Sequence, residues 1–183
     1  MKPAKPEFTK LFLKESRHSI ETYHMSRLIK CLNLLSEKDI WWRPNPASNS
    51  VGNLVLHLSG NVRQWIISGL GEEQDKRDRD REFAERGPIS RRALVALIRG
   101  TVAEASSVLD RLSEDSLLRI HDIQGFHVSG MYAVFQVVHH FAYHTGQIIF
   151  VTKGKLGKDL RFTRLPVYKP KKAVTRFPGG SAR

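Results

Sequence analysis

The stretch MYAVFQVVHHFAYHTGQIIFVTK, residues 131–153, is the one whose reading decides the fold. It predicts one long helix, with a single face running through Ala133, Val137, His140, His144, Gln147 and Val151. Residues four apart project from the same face one turn apart, so His140 and His144 stand together on that core-facing stripe. His139 points about 100° away and is the weaker candidate. Burying an imidazole without a partner costs free energy. The ring nitrogens must therefore meet a carbonyl, a carboxylate or a metal ion.

The rest of the chain reads as helix around this one. Phe8, Phe12, Ile20, Tyr23, Leu28, Leu32 and Leu35 recur at helical spacing between Glu7 and Leu35. RPNPASNS then breaks the pattern, and Ser48 or Asn49 is the expected cap of a second helix running to about Ser68. A charged connection of about twenty residues follows, GLGEEQDKRDRDREFAERGP, a length that in a small bundle marks a functional or a solvated segment. Pro88 and Ser90 reopen a third helix, with Ile89, Leu94, Leu97, Ile98, Val102 and Val108 as its inward positions. SEDSLLRIHDIQGFHVSG leaves room for a short extended pair before the last helix. Four long amphipathic helices with no sustained alternating pattern predict an all-α four-helix bundle.

The 183 residues are 40% hydrophobic, enough for one domain with a sizeable core. Cys31 is the lone cysteine, which excludes an internal disulfide framework and suits a reducing compartment. The basic N-terminus lacks the apolar stretch of a signal peptide, and no run of eighteen apolar residues occurs. A cytoplasmic protein with no membrane association is the expectation. The formal charge of +12 is uneven: residues 153–183 hold ten Lys or Arg against Asp159 alone. The expected division is a bundle domain over 1–153 and a basic, Pro- and Gly-containing extension over 154–183. Phe162, Tyr168 and Phe177 interleave with the cations of that extension, a composition able to stack on nucleic-acid bases. No recognition-helix or RNA-binding signature accompanies it, so nucleic acid is not the favoured partner.

A pair of histidines four apart is a weak metal motif, since zinc-like ions need about three protein ligands. His57 fits as a third: it lies on the second helix with Leu54, Leu58, Asn61 and Trp65, flanked one turn away by Asn53 and Asn61. Taken alone it reads more readily as a core histidine bonded to a carbonyl. His18, His24, His121 and His127 fall outside the pattern as surface or capping residues, though His24 has the reach to enter the core.

NSVGNLVLHLSGNVRQWI followed some seventy residues later by HHFAYHTGQI resembles the DinB-like superfamily, related to the YfiT-type proteins and unconnected with the DNA polymerase of similar name. The resemblance rests on Asn49, Ser50, His57, His140, His144, Gly146 and Gln147, and on RDREF at residues 79–83; it covers about residues 8–153. It implies a four-helix bundle holding a divalent ion, zinc or nickel, on His57, His140 and His144. It also implies a homodimer and, from some relatives, thiol-dependent transfer or isomerisation with a low-molecular-weight thiol.

Such a site activates water or a thiol with the same three ligands. No carboxylate lies one turn from any of the histidines and no HExxH pattern is present. Lacking a general base, the site reads as a thiol transferase acting on a small electrophile, with a metal-hydroxide hydrolase as the alternative. A metal that only knits helices together is a third reading. Asn61 and Gln147, one turn from ligands, are expected either to orient imidazoles or substrate, or to close bonds between helices. Arg79, Arg81 and Glu82 make either a lid for an anionic thiol or a solvated charge run. Trp41, Trp42 and Trp65 read as core or interface anchors, and Cys31 as a small buried hydrophobe.

Overall fold

The computed structural model describes residues 6–163. The first long helix comprises α1 (Pro6–His18), a π-helical turn over Ser19–His24, and α2 (Met25–Leu34). A short α3 (Glu37–Ile40) follows, capped by Ser36. The second long helix is α4 (Val51–Val62), continued by a π-helical turn over Arg63–Ser68. After a small α5 (Arg79–Ala84) come α6 (Arg91–Leu109) and α7 (Glu114–Leu118). A hairpin of β1 (Ile120–Ile123) and β2 (Phe126–Ser129) leads into α8 (Gly130–Leu156). The four long helices make the predicted all-α bundle.

Local chemistry explains the boundaries. Ser50, one or two residues beyond the expected cap, starts α4 because Asn53 completes a reciprocal capping box with it. Ser90 caps α6 as the sequence suggests. The extended pair is antiparallel, Ile120 opposite Ser129 and Ile123 opposite Phe126. Its two-residue turn, Gln124–Gly125, has positive φ at both positions, the geometry that matches strand twist. Gln124 is held there by its side chain, whose oxygen accepts from Trp65 Nε1. Gly157, in the left-handed conformation, ends α8.

Leu28, Leu32, Val55, Leu58, Ile66, Leu94, Ile98, Val137, Phe141 and Ile148 fill the core, and Cys31 is buried among them. Three positions assigned inward by spacing lie outward instead: Phe8, Tyr23 and Leu97 are 65%, 49% and 42% exposed. Five residues before Leu28, Tyr23 falls about 140° from the stripe of Leu28, Leu32 and Leu35, whereas Ile20 in the π-helical turn is buried and Phe12 before it packs on the core. Leu97 sits on the flank of the stripe formed by Leu94, Ile98 and Val102.

α4 and α8 run antiparallel. His57 packs against His140 with ring centroids 4.9 Å apart, and Trp65, two turns on, approaches Tyr132, two turns back, at 6.4 Å. Packing continues past residue 153: Leu160 is buried, and Lys30 Nζ donates to its carbonyl at 2.7 Å. The remainder of the basic extension, residues 164–183, lies outside the described residues. Among the described residues no helix is long and apolar enough to cross a membrane.

Candidate metal centre

His57 from α4 and His140 and His144 from α8 converge. The Nε2 atoms of His57 and His140 are 3.1 Å apart, as are those of His140 and His144. Among the described residues this is the one cluster of three ligating side chains close enough to share an ion. Nitrogens at about 2.05 Å from one ion, at tetrahedral angles, lie about 3.3 Å apart, so the spacing fits a divalent ion.

The outer ring nitrogens fix the tautomers. His144 Nδ1 donates to Gln147 Oε1 at 2.7 Å. His57 Nδ1 lies 3.0 Å from Glu82 Oε2, an acceptor while ionised. With protons on both Nδ1 atoms, both Nε2 lone pairs point inward at His140 Nε2. A single proton on that nitrogen satisfies one of the two contacts; a cation among the rings satisfies all three nitrogens. The donor set thus fits a divalent metal site.

Electrostatics keep the two α8 rings neutral and ready to ligate. Burial, reinforced by the neighbouring His144, His57, Arg77 and His139, pushes His140 down from 6.5 to about 3. Burial also lowers His144, against the opposing bond from Gln147. Burial pushes the Glu82 carboxyl up, but the hydrogen bonds from Arg77 and His57 together outweigh it and hold it below the usual range.

No carboxylate lies one turn from the histidines, and the one that reaches them, Glu82, arrives from the charged connection. Arg77 grips it in a fork, Nε to Oε1 at 2.7 Å and its terminal nitrogen to Oε2 at 2.8 Å, with its side chain only 3% exposed. The same terminal nitrogen is 3.0 Å from His57 Nδ1. Both are donors there, so the carboxylate between them is their shared acceptor. Arg77 also donates to Gln64 Oε1, and Gln64 donates to Asp75, anchoring the start of the connection. Its end is anchored by Asn53, which donates to the carbonyls of Glu82 and Glu85, and by Arg43 on the carbonyls of Phe83 and Glu85. The connection is a docked strap.

Arg77 escaped the sequence reading, and the signal for it is Gly60. A β-carbon there would fall 2.7 Å from Glu82 Cδ and 2.9 Å from Arg77 Nε, so only glycine admits the pair beside His57. Of the three residues read as a lid, Glu82 alone bonds a histidine. Arg79 stacks on Phe83, whose ring faces His57 at 4.6 Å. Arg81 is exposed and lines a groove of about 310 Å³ with Leu56, Arg63 and Leu97. Asn61 is buried, with no partner for its Oδ1.

Outside the cluster, His139 is exposed and stacks on Phe135. His24 packs near Phe141, at 6.4 Å, without reaching the three. His121 bonds the Ser116 carbonyl, and His127 pairs with Asp122. Trp65 is a core residue, Trp41 donates to the Ile89 carbonyl, and Trp42 lies under Lys155. Beside Gln147 opens a cleft of about 580 Å³, lined by Ser48, Asn49, Leu54, Tyr143 and Phe150 among others, with no charged side chain among the described residues of its wall.

Solved structures share this architecture. A conserved protein from Enterococcus faecalis superposes with a TM-score of 0.68 at 17% identity, covering 79% of this chain and 97% of its own. A DinB-like protein from Bacillus cereus gives 0.59 at 19% identity, covering 74% and 87%. A DinB-like protein from Bacillus subtilis, YjoA, gives 0.58 at 19%, covering 84% and 96%. At these identities the likeness establishes the DinB-like fold. Among curated protein sequences none matches. A family profile matches residues 7–169, past Lys153 and into the basic segment: the chain belongs to the protein family of unknown function DUF1572.

Proposed function

We propose that the protein is a metal-dependent enzyme, with His57, His140 and His144 as the ligands of a divalent ion, zinc or nickel. The reaction is transfer of a low-molecular-weight thiol to a small electrophile. One observation carries the reading: the Nε2 atoms of His57 and His144 each lie 3.1 Å from His140 Nε2, all three ligand atoms within 4.8 Å of one another, with two lone pairs fixed inward by Glu82 and Gln147. When bound, the ion supplies positive charge that lowers the pKa of a coordinated thiol or water.

The chain's own residues favour the thiol. Glu82, the carboxylate bonded to the cluster, is tied to Arg77 and faces the outer nitrogen of His57. Held ionised below the usual range, it is a poor proton acceptor and serves to orient the imidazole. The ion would lower the pKa of either nucleophile, but a thiol starts at about 8.5 against about 15.7 for water and so needs less help from a protein base. Gln147 links His144 to the uncharged cleft, which suits a neutral electrophile.

Elemental mass spectrometry on tag-free protein and a His144→Ala variant tests the ligands. About one equivalent of zinc or nickel in the parent, largely lost in the variant, is the expected result. No metal in either after incubation with zinc would overturn it. Turnover of an arylating electrophile should then require added thiol; thiol-independent ester hydrolysis would support the hydrolase.

A homodimer, in a cytoplasmic setting, completes the reading. Tyr132, Phe135, Tyr143 and Phe150 are each more than half exposed along the outer side of α8, and open space surrounds Gly146 between them. Light scattering of the parent and of Phe135→Lys reads this directly: a dimer shifting to monomer supports it, and a monomeric parent contradicts it.

A further inference from the structure

Two of the three histidines have their outer nitrogens held by a side-chain acceptor, and the third does not. His140 Nδ1 is buried with no hydrogen-bond partner among the described residues. With His140 Nε2 turned to an ion, the proton must sit on Nδ1, where a buried donor needs an acceptor.

Two buried acceptors are in the adjoining layer. The antiparallel packing sets His57 against His140 and Trp65 against Tyr132. Asn61 is one turn from His57 toward Trp65, and Gln136 one turn from His140 toward Tyr132, so the amides occupy the layer between those contacts. Asn61 Oδ1 and Gln136 Oε1 are themselves buried and unpartnered. Two unmatched acceptors and one unmatched nitrogen in successive layers are costly apart and complementary together.

We infer that Asn61 and Gln136 are the positioning residues of His140. Their side-chain oxygens accept its Nδ1 proton, as Glu82 does for His57 and Gln147 for His144. Each imidazole then has outer acceptors of its own: the Glu82 carboxylate for His57, the Gln147 amide for His144, and the Asn61 and Gln136 amides, sharing one proton, for His140. The inference rests on the three-histidine metal reading and names what completes it.

The test is zinc affinity, measured with a competing chromophoric chelator, for the parent, Asn61→Leu, Gln136→Leu, the double variant and Gln136→Glu. Loss of an outer partner of a ligating histidine weakens metal binding about 10- to 100-fold. The double variant should fall in that range, and Gln136→Glu, which keeps an acceptor, should retain parental affinity. Metal-free melting should be unchanged or raised in the double variant, because unpartnered buried amides are gone. A purely structural role predicts the reverse, lower melting with unaltered zinc affinity. In the zinc-loaded parent, nitrogen-15 NMR should show a slowly exchanging His140 Nδ1 proton that the double variant loses. Tight zinc uptake left unchanged by the double variant would overturn the inference alone. No zinc uptake by the parent would remove the metal reading, and the inference with it.

Discussion

Glu82→Ala is the perturbation whose magnitude follows most directly from the structure. It deletes the acceptor of two Arg77 bonds, at 2.7 and 2.8 Å, and of the 3.0 Å bond from His57. Arg77 would then be a guanidinium with a 3% exposed side chain and one remaining side-chain carbonyl partner, Gln64. Escape to solvent requires the strap to lift. The strap's backbone, however, is pinned by Asn53 and Arg43 through carbonyls of residues 82, 83 and 85, which the substitution leaves in place. Breaking a buried pair from one side costs about 3–5 kcal/mol. The surviving Gln64 bond places the expected loss near the lower end, about 3 kcal/mol. Glu82→Leu combined with Arg77→Met removes both charges and keeps apolar volume, so it should recover to within about 1 kcal/mol of the parent. Urea unfolding of metal-free protein reads both, with the midpoint moving at constant slope. A loss under about 1 kcal/mol for Glu82→Ala, or single losses that simply add in the double variant, would refute the buried-pair account.

Further outcomes follow from the same geometry. Gly60→Ala gains about 1 kcal/mol of helix propensity but pushes on Glu82 and Arg77, where overpacking costs about 1–3 kcal/mol; a net loss of stability with weaker zinc binding is expected by denaturation and chelator competition. His140 is depressed when folded, so its neutral-ring contribution is complete above 6.5 and is lost as pH falls toward about 3. Metal-free melting should therefore drop across that window, and less so in His140→Gln. Leu160→Ala removes a buried side chain beyond the end of α8 and should cost about 2–5 kcal/mol by urea unfolding. Deleting residues 164–183 should leave zinc uptake intact and abolish any salt-sensitive binding of nucleic acid.

Much of the bundle is written in local periodicity. The histidine pair on α8, its in-line partner Gln147 and the capped starts of α6 and α8 all depend on residues within a turn of one another. His57 was legible because polar neighbours interrupt an otherwise apolar stripe. The strap was not. Its acids and bases alternate so densely that nothing local distinguishes Arg77 and Glu82, whose side chains are 3% and 10% exposed, from Asp78, Arg79 and Asp80, which are exposed. What selects them is distant: the absent side chain at Gly60, the Gln64 carbonyl and the Asn53 amide. The π-helical turns also lack a spacing signature: within the first of them Ile20 is buried while Tyr23 is exposed.

The most direct test of the central claim is anomalous diffraction at the zinc edge from crystals loaded with one equivalent of zinc. One peak about 2.0–2.1 Å from the Nε2 atoms of His57, His140 and His144 is the predicted result. Full-occupancy zinc elsewhere, or no peak among the three rings, would contradict the account.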